Sequence, residues 1–409
     1  MSSEESDDVV LPKEEEELIT KKDKYKVITL LGKGGYGAVY EVKRQSDSEH
    51  FAIKCEKASA VKKVLLMDCN VMRGASAIKS KHFCTVLDRA SVKERFNFIV
   101  MKLIGRNLWD LRVERPDDRF TLGTALKTAS QCLVCIEELH RFGFLHRDIK
   151  PGNFAAGRKE SNEHHIIFML DFGLCREFMQ KSKNKDIRTP RAVAPFRGTT
   201  RYAPLTAMLQ KDQSRKDDLE SWLYMVVEWT SGGLPWRKLK ATDREKVLQF
   251  KQDVRNRTDV LEDFFYNCPK REFDRILKYI DSLDYYAVPD YKFVWYCVQH
   301  AEKSNGIRDS EPLDWDPDNP YTGPKETPGD GAILEYNKED GDGKNFDQSS
   351  KSKKRKTTTK SSVTTALRPK KEGSEKKKSK EKEKEKEKDE SAKKDRAVTA
   401  TSKTPHKKE

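Results

Sequence analysis

The stretch HRDIKPGNFAAG, His146 to Gly157, holds a carboxylate, a cation and an amide at short, fixed separations. Asp148 can accept a proton from an incoming hydroxyl. Lys150 can neutralise a phosphate in transfer. Asn153 offers a neutral oxygen to Mg²⁺, a hard ion that takes oxygen donors. Further on, Asp171 in LDFG follows a short apolar run and can supply the anionic metal ligand. Phosphoryl transfer asks little covalent help from a protein. It needs positioning, charge neutralisation and metal ions, and these four residues offer all three.

Two more features belong to the same chemistry. Gly32, Gly34, Gly37 and Val39 fit G-x-G-x-x-G-x-V. The segment lies between two expected strands, whereas a dinucleotide-binding fingerprint opens a helix at that point. A hairpin whose missing side chains let backbone amides approach anionic oxygens fits better. Lys54, in FAIK, follows on a third expected strand packed beside the hairpin, from which its ammonium can reach the α- and β-phosphates of a nucleotide.

The elements that must position these residues follow from patterning. Apolar alternation begins at Tyr25, and YKVITLLGKGGYGAVYEVKR reads as strand, turn, strand. HFAIKCE and FNFIVMKLIG read as further strands, with a helix over AVKKVLLMDCNVMRG between them. Past Arg106 the period turns helical, through NLWDLRVE and a longer helix ending near Phe142, where Gly143 is placed to stop it. DDLESWLYMVVEWTSGG is apolar on nearly every face, the mark of a buried helix. Strands come first and helices later, so the expected fold class is α+β, a strand-rich lobe joined to a mainly helical one with the cleft between them.

Composition sets the outer limits. The chain has 409 residues and a net charge of +14. From Lys351 onward there are 23 Lys/Arg and 10 Asp/Glu, so the basic balance belongs to a tail and the preceding part is nearly neutral. A nucleic-acid-binding reading of the whole chain is thereby weakened. No apolar run reaches the roughly 18–20 residues of a spanning helix, and the acidic N-terminus has no apolar signal segment. Eight cysteines without framework spacing suggest free thiols in a reducing compartment, hence a cytoplasmic protein. Cys132 and Cys135 lie three apart on an amphipathic helix with no second pair nearby, which favours core filler over zinc or redox chemistry.

Taken together, the Gly-rich loop, the strand lysine, HRDIKPGN and DFG resemble the eukaryotic protein kinases, over residues 25–305. The resemblance implies a two-lobed kinase fold, ATP and Mg²⁺ as cofactors, and Asp148 as catalytic base with Lys150, Asn153 and Lys54. ATP contacts then fall to Gly32, Gly34, Gly37, Val39, Lys54 and Met101, and the metal to Asn153 and Asp171. Arg147 would contact the segment after DFG, and Asp218 would brace the catalytic loop. The lysine of HRDIKP points to serine/threonine acceptors. FRGTTRYAP and LPWRK resemble the casein kinase 1 group, closest to its tau-tubulin kinase branch. That branch implies acidic or phosphate-primed protein substrates, with Arg201 matching the group's anion-binding arginine. Arg188, Arg191 and Arg197 crowd the same segment, and guanidinium forks suit phosphate.

Asp68 departs from the pattern, since kinases usually place a glutamate there to pair with the strand lysine. It keeps the charge and is one methylene shorter. Ala203-Pro204-Leu205 likewise lacks the glutamate of the usual A-P-E. Asp68 is the main argument for the alternative reading, a pseudokinase scaffold that binds ATP or partners without turnover. Residues 1–24 are expected to be an acidic disordered terminus and residues 306–409 a disordered polar tail. Within the tail, KSKKRK resembles a nuclear import signal, and the lysine-rich ends offer contact to polyanions or acidic tubulin tails. A monomer without membrane attachment is expected.

Overall fold

The computed structural model describes residues 10–34, 37–180 and 186–329. Alternating strands near the N-terminus pair antiparallel into one six-stranded sheet, ordered β1-β2-β3-β4-β6-β5. These are β1 Glu17–Ile19, β2 Lys24–Gly34, β3 Gly37–Arg44, β4 His50–Lys57, β5 Val86–Val92 and β6 Phe96–Lys102. The period of two divides their side chains between two cores. Tyr40, Val42, Phe51, Ile53, Phe98 and Val100 fill one face. Ala52, Ile99 and Met101 fill the other, with helix α1 (Leu65–Ala77) and the helical lobe below.

The first face is closed by residues placed outside the domain on composition. Leu11 and Leu18 are 3% and 1% exposed and join that core. Glu16 adds an ion pair to Arg95 at 2.6 Å. Residues 11–18 of the acidic terminus therefore pack on the sheet. A strand as buried as β4 needs an apolar cover on both sides, and two leucines embedded in an acidic run provide it. The edge strand β5 (VLDRASV) was also missed, because Asp88, Arg89 and Ser91 interrupt its apolar residues.

The larger lobe is built on helices α2 Leu108–Val113, α3 Leu122–Arg141, α4 Leu205–Met208, α5 Arg215–Ser231, α6 Arg244–Asn256, α7 Thr258–Phe264, α8 Lys270–Ser282 and α9 Tyr291–Ser304. Two small two-stranded sheets join them, β7 (Phe144–Leu145) with β10 (Arg176–Glu177) and the hairpin β8 (Phe154–Ala156) with β9 (Ile167–Met169). As its all-round apolarity predicts, α5 is buried along its length. Ser214 and Asp217 cap its start reciprocally. Gly143, just past α3, has φ +89°, a conformation that suits glycine at a helix C-terminus. Cys132 and Cys135 are fully buried free thiols in the core of α3. Among the described residues no helix is long and apolar enough to cross a membrane.

Residues 307–329, expected to be disordered, are described as a strap along α3. Asp314 accepts hydrogen bonds from the amide and hydroxyl of Thr121 at 2.8 and 2.6 Å, and from the Thr124 hydroxyl at 3.0 Å. Leu313 and Asp316 are buried. Tyr321 bonds Gln131 at 3.0 Å, and the Gly329 amide donates to Glu137 at 2.7 Å. Between these, Glu326 reaches Lys81 at 2.7 Å in the connection from α1 to β5. Residues 1–9 and 330–409, with the rest of the expected tail, lie outside the described residues.

Candidate active site

The register of one small hairpin gathers the metal-ligand candidates. Phe154 pairs with Met169, so the residues just outside that pair meet, and the Leu170 amide donates to the Asn153 carbonyl at 2.8 Å. Asn153 and Asp171 thereby stand at the same end of the hairpin. The Asn153 amide nitrogen donates to the Asp148 carbonyl at 2.8 Å, which leaves its side-chain oxygen as the available donor. Among the described residues no group of three or more His, Cys, Asp or Glu forms a closed metal cage. One carboxylate and one amide oxygen instead fit Mg²⁺ completed by phosphate oxygens and water.

Lys54 joins the two lobes. Its ammonium lies 2.9 Å from Asp68 on α1 and 3.1 Å from Asp171. Burial pushes the Lys54 ammonium toward neutrality, but the Asp68 and Asp171 carboxylates outweigh it and hold its pKa above the usual value. Burial also raises Asp171, and Lys54 again wins, so that carboxyl sits below its usual range. The same Asp68 oxygen accepts the Phe172 amide at 3.2 Å, which ties α1 to the DFG turn. Asp68 is fully buried, so the shorter side chain reaches its partner without a water between them.

The catalytic loop is held from beneath by Asp218 at the start of α5. Its carboxylate accepts the backbone amides of His146 at 2.7 Å and Arg147 at 2.9 Å. His140 Nε2 lies 2.8 Å away, while its Nδ1 faces the Tyr291 hydroxyl at 2.6 Å. Burial would raise the Asp218 pKa, but the His140 hydrogen bond and the loop amides outweigh that and lower it. Arg147 and Asp171 both have positive φ, +65° and +58°. Such backbone strain in non-glycine residues persists only where the surroundings enforce it, and here the Asp218 bracing does so for Arg147. The Arg147 guanidinium donates to the Leu174 carbonyl at 2.7 Å, beyond DFG.

Asp148 projects from this braced loop. One carboxylate oxygen accepts the Thr199 hydroxyl at 2.8 Å and the other accepts Lys150 at 2.7 Å. Nothing local in FRGTTRYAP marks Thr199 for this contact. Its bond to Asp148 becomes visible only when the chain folds back. Above the cleft, a Cβ at Gly32 or Gly34 would meet nothing within 4 Å, so the space over that backbone is open to a ligand. Gly37 is required by packing as well, since a Cβ there would lie 1.8 Å from the Cys55 carbonyl oxygen. Gly35 and Tyr36 of the same motif are outside the described residues. Val39 pairs with Lys54 across β3 and β4, and Met101 sits opposite Ala52 on the cleft-facing side of the sheet.

The four arginines are not brought into one cluster. Arg191 is bound to Asp212 at 2.6 Å, and Arg188 donates to the Met179 carbonyl at 2.9 Å. Arg201 pairs with Glu228 at 3.2 Å and lies over the Trp109 ring. Arg197 instead stands near Lys62 and Arg147. Burial, followed by these two arginines, holds the Lys62 ammonium below its usual value. Lys62, from the connection before α1, was not singled out from the sequence, because nothing local in KKV marks it. A cleft of about 360 Å³ adjoins Lys150 and is lined by Trp109, Thr199, Arg201, Trp236 and Lys240.

Comparison with known proteins agrees with this arrangement. Residues 25–283 match the protein kinase domain family. The chain is 35% identical over 298 residues to a probable serine/threonine-protein kinase of Dictyostelium discoideum, an alignment covering 72% of this chain and 57% of that one. It is 32% identical to the serine/threonine-protein kinase spe-6 of Caenorhabditis elegans, over 71% of this chain and 75% of the relative. It is 27% identical to casein kinase I homolog 2 of Schizosaccharomyces pombe, over 71% and 65%. With a matching family model over most of its folded length and curated relatives that are serine/threonine kinases, the chain belongs to the protein kinase family, and its catalytic domain is of the serine/threonine kind.

Proposed function

We propose that the protein is a working kinase of the casein kinase 1 group, near its tau-tubulin kinase branch, that transfers the γ-phosphate of ATP to acidic or phosphate-primed serine and threonine. The observation that carries this is the Asp148 carboxylate, fixed between Thr199 and Lys150 on a loop braced by Asp218. In that position Asp148 accepts the proton of the acceptor hydroxyl. Lys150 neutralises charge on the phosphate in transfer, and Lys54 holds the phosphates that remain behind. Asn153 and Asp171 would hold Mg²⁺, whose chemistry is to neutralise the phosphate oxygens. The main argument for a non-catalytic scaffold is the short Asp68 side chain, and its 2.9 Å contact to Lys54 supports the catalytic reading.

Support for primed acceptors comes from Arg197 and Lys62 beside Arg147, three cations whose mutual repulsion an acceptor phosphate would relieve. The Lys-rich tail is proposed as a separate contact to polyanions, tubulin tails among them. The protein is proposed to act in the cytoplasm, with nuclear entry through KSKKRK, and as a monomer.

A peptide array with MgATP tests the reading. The parent should phosphorylate acidic and phosphate-primed peptides, and Asp148→Asn should lose roughly 10²–10⁴-fold in rate, the usual worth of a positioned base. Equal weak labelling by parent and variant would establish the scaffold reading instead. Preference for basic peptides would remove the anion-site assignment.

A further inference from the structure

The loop Thr200–Ala203 forms one wall of the cleft beside Lys150, yet it lacks the glutamate that follows Ala-Pro in most kinases. Its backbone is held by other means. Lys251, on α6, is fully buried and donates to the Thr200 carbonyl at 3.0 Å and the Ala203 carbonyl at 2.6 Å. Its ammonium lies over the rings of Tyr224 and Trp236, 4.7 and 5.2 Å from their centroids. The Trp236 indole donates to the Arg201 carbonyl at 2.8 Å. Three of the four carbonyls in this loop are therefore fixed by side chains from outside it. A further contact, from Glu220 to the Leu205 amide at 2.9 Å, holds the residue that stands in the missing glutamate's place.

Burying an ammonium away from water is costly unless it is hydrogen-bonded. Packing alone therefore gives no reason for a lysine here, whereas two inward-facing carbonyls do. Burial pulls the amine down to about 7. The neutral amine still has two N–H groups for two carbonyls, so the clamp operates in either protonation state.

We infer that Lys251, with Trp236, is a positioning residue for the peptide acceptor: it fixes the backbone of Thr200–Ala203 and so sets the shape of the cleft that receives the substrate beside Asp148. The inference rests on the reading of the protein as a peptide kinase. Neither residue contacts Lys54, Asp68, Asn153 or Asp171 in the hydrogen-bond network, so ATP handling should be insulated from their loss.

The test is steady-state kinetics on the full chain with MgATP and the best acceptor peptide. Lys251→Met, matched in length and lacking a donor, should raise the peptide KM at least about tenfold while the ATP KM stays within about twofold. Its melting temperature should fall, because two inward-facing carbonyls lose their donor. Trp236→Phe, which removes the indole donor and trims a buried ring, should show the same split to a smaller degree and serves if Lys251→Met does not fold. An unchanged peptide KM in either folded variant would overturn the inference. So would an equal rise in both KM values. Parent turnover tests the kinase reading by itself, whereas the ratio of variant to parent KM tests the loop, so the two failures are separable.

Discussion

Asp68 shows how one methylene is absorbed. A glutamate at this position would reach Lys54 from further away, and the aspartate makes contact at 2.9 Å because α1 packs directly against β4 and β5. Its oxygen also holds the Phe172 amide, so its charge serves both the lysine and the DFG turn. Removing one member of a buried charged pair costs about 3–5 kcal/mol, and part of that falls on the ATP complex. Asp68→Asn should lower kcat/KM by roughly 10–100-fold, with about 1.36 kcal/mol for each factor of ten. The family glutamate, Asp68→Glu, would keep the charge and add one methylene. The site is fully buried, and adding a methylene to a packed core typically costs about 1–3 kcal/mol. Asp68→Glu should therefore keep turnover and lose thermal stability. Melting curves and kinetics on the two variants check both statements, and unimpaired turnover in Asp68→Asn would eliminate the ion pair as a working part.

Between elements, the strap 307–329 changes where the domain ends. Asp314 takes the role of a long-range cap, accepting the Thr121 amide at the start of α3. Leu313 is 2% exposed, and the Trp315 indole donates to the His164 carbonyl at 2.9 Å. At its far end Glu326 pairs with Lys81, so the strap spans from the helical lobe to the connection behind α1. A lost cap costs about 1 kcal/mol, and re-exposing a buried leucine about 1.5–3 kcal/mol. A chain ended after Asn305 should therefore melt several degrees lower than one ended after Gly329, about 2–4 °C per kcal/mol at this size. Coincident melting curves would show that the strap contributes nothing. At permissive temperature both truncations should retain peptide turnover, since no strap residue enters the catalytic network.

Across the whole molecule, charge and catalysis are separated along the chain. The part before Lys351 is nearly neutral, and the excess of positive charge follows it. A chain ended after Gly329 should keep most of its turnover on short peptides. Its affinity for heparin or polyglutamate should fall, and the parent's advantage should shrink as salt rises from 0.05 to about 0.5 M, because screening lengths drop below roughly 5 Å. Equal, salt-independent binding by both chains would place the polyanion contact on the kinase domain instead.

The candidate catalytic residues could be picked out from the sequence because phosphoryl transfer constrains residue type and local spacing together. HRDIKPGN sits on one loop and DFG on the next, and the turn between β8 and β9 brings them to one point whatever surrounds them. The buried α5 was legible for a similar reason, since an apolar surface on every side leaves a helix only one environment. Composition did not reveal the packing of the flanking segments. Leu11, Leu18, Leu313 and Trp315 lie in short apolar patches within polar text, and only the folded core gives them a place. The contacts of the arginines, Asp212 for Arg191, Glu228 for Arg201 and the Met179 carbonyl for Arg188, are set by the fold and cannot be read from local sequence. Lys251 was invisible for the same reason: a lysine on an amphipathic helix reads as solvated until the fold shows two carbonyls pointing at it. Local chemistry was written in the sequence, and tertiary structure decided which charges pair, which are buried and where the domain stops.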